Sequence, residues 1–456
     1  MAKNSLVRQS LPLSLILGSR FFGLFIVMPV LSLYALSLEG VSPMLVGIAM
    51  GGYALTQVIF QIPFGVLSDK FGRKTLIAIG LVIFALGSLI CALSEEIYFL
   101  ILGRLLQGAG AVGGVISAMI ADLVKEENRT KAMAFMGATI SLSFTAALIL
   151  GPILAGNFGV PSLFWVTFVL ACIALTTLFI AVPNAPTITY SFTKHSKESS
   201  TILKNRNLQI MNLTNFLQKG FMTLTLLIIP ITLVNTFEMA KEDLWQVYIP
   251  ASLLGFFAMI PAAILAEKKG KFKAVMIIGI LFFALSYLLM LSQNKAVFIF
   301  SVLVFFVGFS IHEPIMQSLA SRYCKAYEKG SAMSIFTTFG YLGSFFGALL
   351  GGYVYASSSL FFLVICAVII ALLWIIIFSF LANPTMQKNL YLPLNQTTTH
   401  QHLNSLIKLR GILEWYLNQS ERIAVIKYDK NQTNEKEILK FIDTHLKDCF
   451  TPQKDL

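Results

Sequence analysis

Apolar runs long enough to cross a lipid bilayer, separated by short polar stretches, govern what this chain can fold into. They fall near 11–36, 45–67, 75–94, 97–121, 132–156, 160–183, 208–234, 244–266, 274–292, 296–321, 331–356 and 358–382, which makes twelve candidate helices. A spanning helix needs about 20 mostly apolar residues, and in hydrocarbon only helices and closed barrels satisfy every backbone N–H and C=O. The 456 residues are 56% hydrophobic and 12% charged, against about 25% charged in soluble domains. A water-soluble globular protein is excluded. The first run follows Lys3 and Arg8, is too long for a signal-peptide core and lacks a small-residue cleavage site, so it reads as a retained span.

On a soluble protein the formal net charge of +12 would suggest nucleic-acid binding. Its distribution argues otherwise. Of the 34 Lys and Arg, Lys241 and Lys295 fall on one side of the spans, Arg20, Arg104 and Lys219 lie inside spans, and all the others collect on the opposite side. Basic residues in short loops mark the cytoplasm, so both termini are expected there and no nucleic-acid partner is expected. The five cysteines form no C-x-x-C pair, so neither a disulfide frame nor a metal site follows.

The longest gap, 184–207, is rich in Ser, Thr and Lys and reads as a cytoplasmic linker between two six-helix halves, 1–183 and 208–382. The halves resemble each other at a shift of about 200 residues: Ile62-Pro63 falls on Ile260-Pro261, Asp69 on Glu267, Gly72 on Gly270, Ala132-Met133 on Ala332-Met333 and Gly151 on Gly351. Duplicated six-helix units place solute sites at the repeat interface near mid-membrane. Beyond the spans, 389–394, 401–410, 411–418, 421–429 and 434–447 read as strand, helix, strand, strand and helix, with alternation at Ile423, Val425 and Lys427. The pattern suggests a small α+β ferredoxin-like cytoplasmic domain over 389–456, with little sequence left for a last strand.

Several constellations carry chemistry. After the second span comes Gly65-Val66-Leu67-Ser68-Asp69-Lys70-Phe71-Gly72-Arg73-Lys74. Gly65 permits close helix contact, Gly72 a tight turn, and Asp69 can face a helix N-terminus. Asp122 and Arg129, around the end of the fourth span, extend that charge network. The fourth span holds Leu100-x-x-x-Arg104-x-x-Gln107-Gly108-x-Gly110, and a buried Arg faces a cavity or a partner. The tenth span holds Phe309-Ser310-Ile311-His312-Glu313-Pro314-Ile315-Met316-Gln317. Glu313 and His312, ionisable in apolar surroundings, are candidates for proton coupling, while Phe309, Met316 and Gln317 share the Glu313 face by helical spacing and are candidate cavity lining. Arg20 and Lys219 are further buried charges, and either could pair with Glu313. Tyr53, Gln57 and Phe60 lie on one face of the second span and could line the gate between halves; Gln107 is a further candidate for the lining.

The loop at 65–74 resembles the signature loop of the major facilitator superfamily and sits where that family carries it, and the fourth-span pattern resembles its conserved-arginine motif. The end of the fifth span, Gly151-Pro152-Ile153-Leu154-Ala155-Gly156, resembles the Gly-Pro motif of drug:proton antiporters, with Ala155 in place of the first glycine of the usual closing pair. Arg20 with Met28-Pro29-Val30-Leu31, Glu313, Ser321-Arg322 and Lys329-Gly330-Ser331-Ala332-Met333 resemble the bacterial YajR-type branch. The resemblance implies an all-α membrane fold of twelve transmembrane helices plus the ferredoxin-like domain, complete as one chain in the bacterial inner membrane. It also implies a cavity lined by spans 1, 4, 7 and 10, and a latch in which Asp69 faces the terminus at Ser331. With no nucleotide motif, primary active transport is not expected, and the expected function is transport rather than enzymatic activity. It is proton-coupled efflux by antiport of small, lipophilic or cationic molecules, with the proton as coupling ion and no cofactor or metal. Symport of a nutrient or organic anion, and a non-transporting membrane sensor, are the alternatives.

Overall fold

The computed structural model describes residues 2–184, 190–191, 204–324, 329–357, 360–383, 387–395, 405–406, 409–418, 421–446 and 450. Twelve helical segments within them are long and apolar enough to span a membrane: α1 (Ser10–Ala35), α2 (Pro43–Phe71), α3 (Arg73–Ala92), α4 (Ile97–Leu123), α5 (Glu127–Phe158), α6 (Pro161–Ala181), α7 (Arg206–Asn235), α8 (Lys241–Glu267), α9 (Phe272–Leu289), α10 (Lys295–Arg322), α11 (Gly330–Tyr355) and α12 (Leu360–Ser379). Large apolar side chains stand exposed along their outer faces, Ile180 at 81% and Phe361 at 63% among them. Water would disfavour such a surface and lipid tails accommodate it.

Two spans are broken where the sequence reads as one run. Helix α1 stops at Phe25 and restarts at Met28, because Pro29 has no N–H to donate and its fixed φ suits a first turn. Helix α4 stops at Ala109 and restarts at Gly113. There a Cβ on Gly110 would collide with the carbonyl of Gly80 in α3, and one on Gly108 with the carbonyl of Tyr53 in α2. Small residues bring these backbones together as the membrane interior, lacking a hydrophobic force between helices, demands. Helix α8 ends in a π-turn over Ile264–Lys268.

Among the described residues the closest backbone approaches between the halves lie at one end. On the side away from the basic loops, a Cβ on Gly47 of α2 would sit 2.5 Å from the Ala348 carbonyl oxygen of α11, and one on Gly352 of α11 would sit 2.5 Å from that of Pro43. Gly156 of α5 packs against Glu242 of α8, 3.1 Å from a built Cβ to Cα. Toward the basic side, Cβ atoms built on Gly65, Gly137 and Gly330 meet nothing within 4 Å. The molecule is closed at one end and parted at the other.

The C-terminal segment forms an antiparallel sheet with β1 (Tyr190–Ser191), β2 (Gln387–Pro393), β3 (Ile412–Asn418) and β4 (Ile423–Asp429) in the order β1-β3-β4-β2. Helix α13 (Glu435–His445) carries Ile438 and Ile442 onto it. Among the described residues the last strand is represented by a bridge between Leu394 and Phe450. The order β3-β4-β2-Phe450 is that of a ferredoxin-like sheet, and β1, contributed by the linker between the halves, extends its β3 edge. The helix expected over 401–410 lies largely outside the described residues. Lys427 Nζ donates to the Cys324 carbonyl at 3.4 Å, which places this domain against the basic end of α10.

Candidate functional site

A cavity with about 1130 Å³ of empty space, counted out to its mouth, lies between the halves. Its walls come from α1, α2, α5, α7, α8, α10 and α11, and α4 contributes none of them. Expectation and structure differ here because Arg104 anchors α4 away from the cavity. Its Nε donates to Ala49 O at 3.3 Å and its Nη1 to Gln107 Oε1 at 2.7 Å, its Nη2 reaches Met28 Sδ at 3.7 Å, and its guanidinium lies 4.7 Å from the centroid of Tyr53. Gln107 passes the chain on to Ser88 Oγ at 2.9 Å. It is a buried partner of Arg104 and not part of the wall.

At the centre Glu313 of α10 meets α7. Lys219 Nζ lies 2.9 Å from Glu313 Oε1 and 2.8 Å from Oε2, and Gln218 Nε2 donates to Oε2 at 3.1 Å. Both charged side chains are about one-quarter exposed, at 23% and 25%, and both line the cavity. Partial access to the cavity lowers the desolvation cost that a sealed pair would pay. Among the described lining residues Glu313 is the one acid and Lys219 the one base. Lys219 also sits 5.1 Å from the centroid of Phe309, favourable for a cation. Phe309 continues an aromatic strip through Phe144 at 5.5 Å to Phe25 at 4.9 Å between centroids, so one cavity offers a charged end and an apolar wall.

His312 points away from the cavity. Fully buried, it bonds through Nε2 to Met276 O at 2.7 Å and packs edge-on to Phe283 and Trp374. A Cβ on Gly279 would collide with its ring. Successive helical residues are rotated by about 100°, which puts Glu313 in the cavity and His312 in the packing of α9 and α12. Arg20 of α1, 1% exposed, donates from Nη2 to Gln57 Oε1 at 2.6 Å. Gln57 thereby leaves the lining, and Phe60, 39% exposed, is outside it too. Tyr53, Phe309, Met316 and Gln317 line it. Asn215 and Tyr341 also line it and were not singled out from sequence. The spacing Asn215, Lys219, Met222 on α7, drawn through the buried lysine, is the signal that finds Asn215.

The loop at 65–74 is held inside its own half. Arg73 bonds Asp69 at 2.8 Å, Asp122 at 2.6 Å and Ser68 at 3.0 Å, Arg129 donates to Ala121 O at 2.7 Å, and Gly72 takes φ +92°. The expected contact of Asp69 with the terminus at Ser331 is not made. The Asp69 side chain is 67% exposed and pairs with Arg73, because the helix ends on this side stand apart. In the second half Glu267 accepts from Ser318 and Arg322, a counterpart of that network. Gly151 closes α5 onto the break in α1 at Ile26, and Pro152 follows it within α5.

The sequence model of the Major Facilitator Superfamily matches residues 13–348 and 213–413. The chain is 35% identical over 444 residues to the inner membrane transport protein YajR of Escherichia coli strain K12, covering 94% of this chain and 96% of that one. It is 26% identical to the class B tetracycline resistance protein of Escherichia coli over 68% of this chain and 79% of that one. The crystal structure of the nucleoside transporter NupG matches with a TM-score of 0.65 at 14% identity, covering 81% of this chain and 99% of that one, a likeness of fold. Twelve spans and these relatives together place the chain as a multi-pass protein of the bacterial inner membrane, and the bias of Lys and Arg to one side assigns the basic loops and both termini to the cytoplasm. The parted, basic end is then cytoplasmic and the closed end periplasmic. A duplicated bundle parted on one face around a cavity with one internal ion pair is the architecture of a secondary transporter, and the chain belongs to the major facilitator superfamily.

Proposed function

We propose that this transporter is proton-coupled and works by alternating access, with the Lys219–Glu313 pair binding and releasing the proton. One observation carries the reading: the one acid and the one base of the described cavity wall face each other from α7 and α10. Protonating Glu313 dissolves the ion pair and frees Lys219 inside the cavity, so proton occupancy and solute binding act on the same atoms. The cytoplasmic opening corresponds to one limb of the cycle. In the other, Asp69 reaches the α11 terminus and closes that end.

Two directions of coupling follow from the pair. A cationic solute takes the place of Lys219 on Glu313 and competes with the proton, which is antiport. The relatives named for tetracycline resistance and the Gly151-Pro152 element support this reading, with export of small lipophilic molecules. An anionic solute takes the place of Glu313 on Lys219, and the released carboxylate takes up a proton, which is symport. That reading is favoured by Lys219 already neutralising Glu313.

The test is proton movement in proteoliposomes holding a pH dye, challenged with amphipathic cations and anions. The wild type moves protons in response to a solute, and Glu313→Gln does not. Proton movement of equal size in folded Glu313→Gln overturns the assignment.

A further inference from the structure

The charges around the cavity do not balance. Behind its wall lie Arg20 at 1% exposure and Arg104 fully buried, and the acceptors they meet are Gln57, Gln107 and a backbone carbonyl rather than carboxylates. With Lys219 and Glu313 in the wall, three positive charges stand against one negative, in a medium where charge is weakly screened.

The two arginines differ. Each of the three guanidinium nitrogens of Arg104 has a partner. Arg20 uses only Nη2; its Nε and Nη1 are buried without a hydrogen-bond acceptor. Its guanidinium lies 5.5 Å from the centroid of Phe84, and its partner Gln57 stands one helical turn from Tyr53, which lines the cavity. A buried guanidinium with two unpartnered nitrogens is costly unless an acceptor arrives, and its planar fork matches a carboxylate, sulfonate or phosphate.

We propose that the cavity binds amphipathic organic anions, with the anionic group on Lys219 in the positive field of Arg20 and Arg104 behind the wall, and the apolar body along Phe25, Phe144 and Phe309. Glu313 is the internal anion that holds Lys219 until the solute replaces it. The displaced carboxylate loses its counter-charge and takes up a proton from solution, so anion and proton are bound together and the occupied cavity gains no net charge. This coupling rests on the proton-coupled reading given above; the anion preference does not. Glu313 is paired with Lys219 from α7, and the other titratable groups of the described cavity wall are Tyr53 from α2 and Tyr341 from α11, with Arg20 of α1 outside the lining. The described lining residues of α5 and α8 include none. His312 on α10 points away toward Met276 and Trp374.

Three probes with one fluorophore separate charge from shape: dansyltaurine, an anion that stays ionised at every pH used, neutral dansylamide, and cationic dansylcadaverine. Binding is measured on full-length protein in nanodiscs. Dansyltaurine is expected to bind about tenfold more tightly than dansylamide, with dansylcadaverine weakest. Its affinity rises as the pH is lowered in the wild type. Glu313→Gln binds it at least as tightly as acidified wild type, at every pH. The double variant Lys219→Gln/Glu313→Gln, which leaves no lone charge in the wall, loses the preference, and Lys219→Arg retains it; thermal melting checks that each is folded. Cation binding equal to anion binding, a preference that survives the double variant, or binding of none of the three probes overturns the proposal. Loss of proton flux with the charge preference intact would strike the coupling alone.

Discussion

Replacing Gly47 with alanine should drive the transporter toward its outward-open form without unfolding it. The added Cβ would stand 2.5 Å from the Ala348 carbonyl oxygen, about 0.9 Å inside the 3.4 Å at which ordinary contact begins, and 3.3 Å from Leu349 Cα. The three nearest atoms all belong to α11, across the periplasmic contact of the two halves. Overpacking of this kind costs about 1–3 kcal/mol, which is roughly a 5- to 150-fold shift in population. The cost falls only on the state in which α2 and α11 touch there. Gly343→Ala is the control: its Cβ would collide with the Phe216 carbonyl of α7, inside one half, in either state. The assay places a single cysteine at Ser344, which lines the cavity and is 5% exposed, in a chain otherwise free of cysteine. Its labelling by an impermeant maleimide is followed in right-side-out vesicles. Gly47→Ala accelerates labelling, while Gly343→Ala lowers the melting temperature. Unchanged labelling in Gly47→Ala, or a stability loss equal to that of Gly343→Ala, refutes the reasoning.

Three further outcomes follow from the same geometry. His312→Ala removes a ring packed on Phe283 and Trp374 and a 2.7 Å bond to Met276 O, a loss of roughly 2 kcal/mol or more; thermal melting shows it, while the pH profile of flux per folded molecule stays that of the wild type. Arg73→Ala leaves Asp122, 19% exposed, without its 2.6 Å partner, which costs about 1–3 kcal/mol and lowers the melting temperature in detergent. Trp374→Phe gives up one bond to Thr214 Oγ1 at 3.2 Å and costs about 1 kcal/mol, far less than Trp374→Ala at about 3–5 kcal/mol.

The number of spans was legible because it rests on a local property, the apolar run. Helix rotation was harder to read. Along spans as uniformly apolar as α2 and α10, polar residues are the available markers of a face, and they mark two different things. Gln57 and Gln107 carry the side-chain amide expected of a binding wall, yet each is spent on a buried arginine. Glu313 and His312 are neighbours in sequence and face opposite surroundings. The break in α4 hides in a continuous apolar run because its cause, contact of Gly110 with Gly80 of α3, is tertiary. Asp69 pairs with Arg73 inside its own loop, and the contact expected of it at Ser331 belongs to the proposed closed form of that end.

The account stands most directly on the sign of proton movement when dansyltaurine is presented to proteoliposomes that hold a pH dye. An inward dansyltaurine gradient carries protons with it and acidifies the lumen, whichever way the protein faces, and the signal is absent from protein-free vesicles and from Glu313→Gln. A lumen that turns alkaline, or acidification of equal size in Glu313→Gln, contradicts the binding of anion and proton together at Lys219 and Glu313.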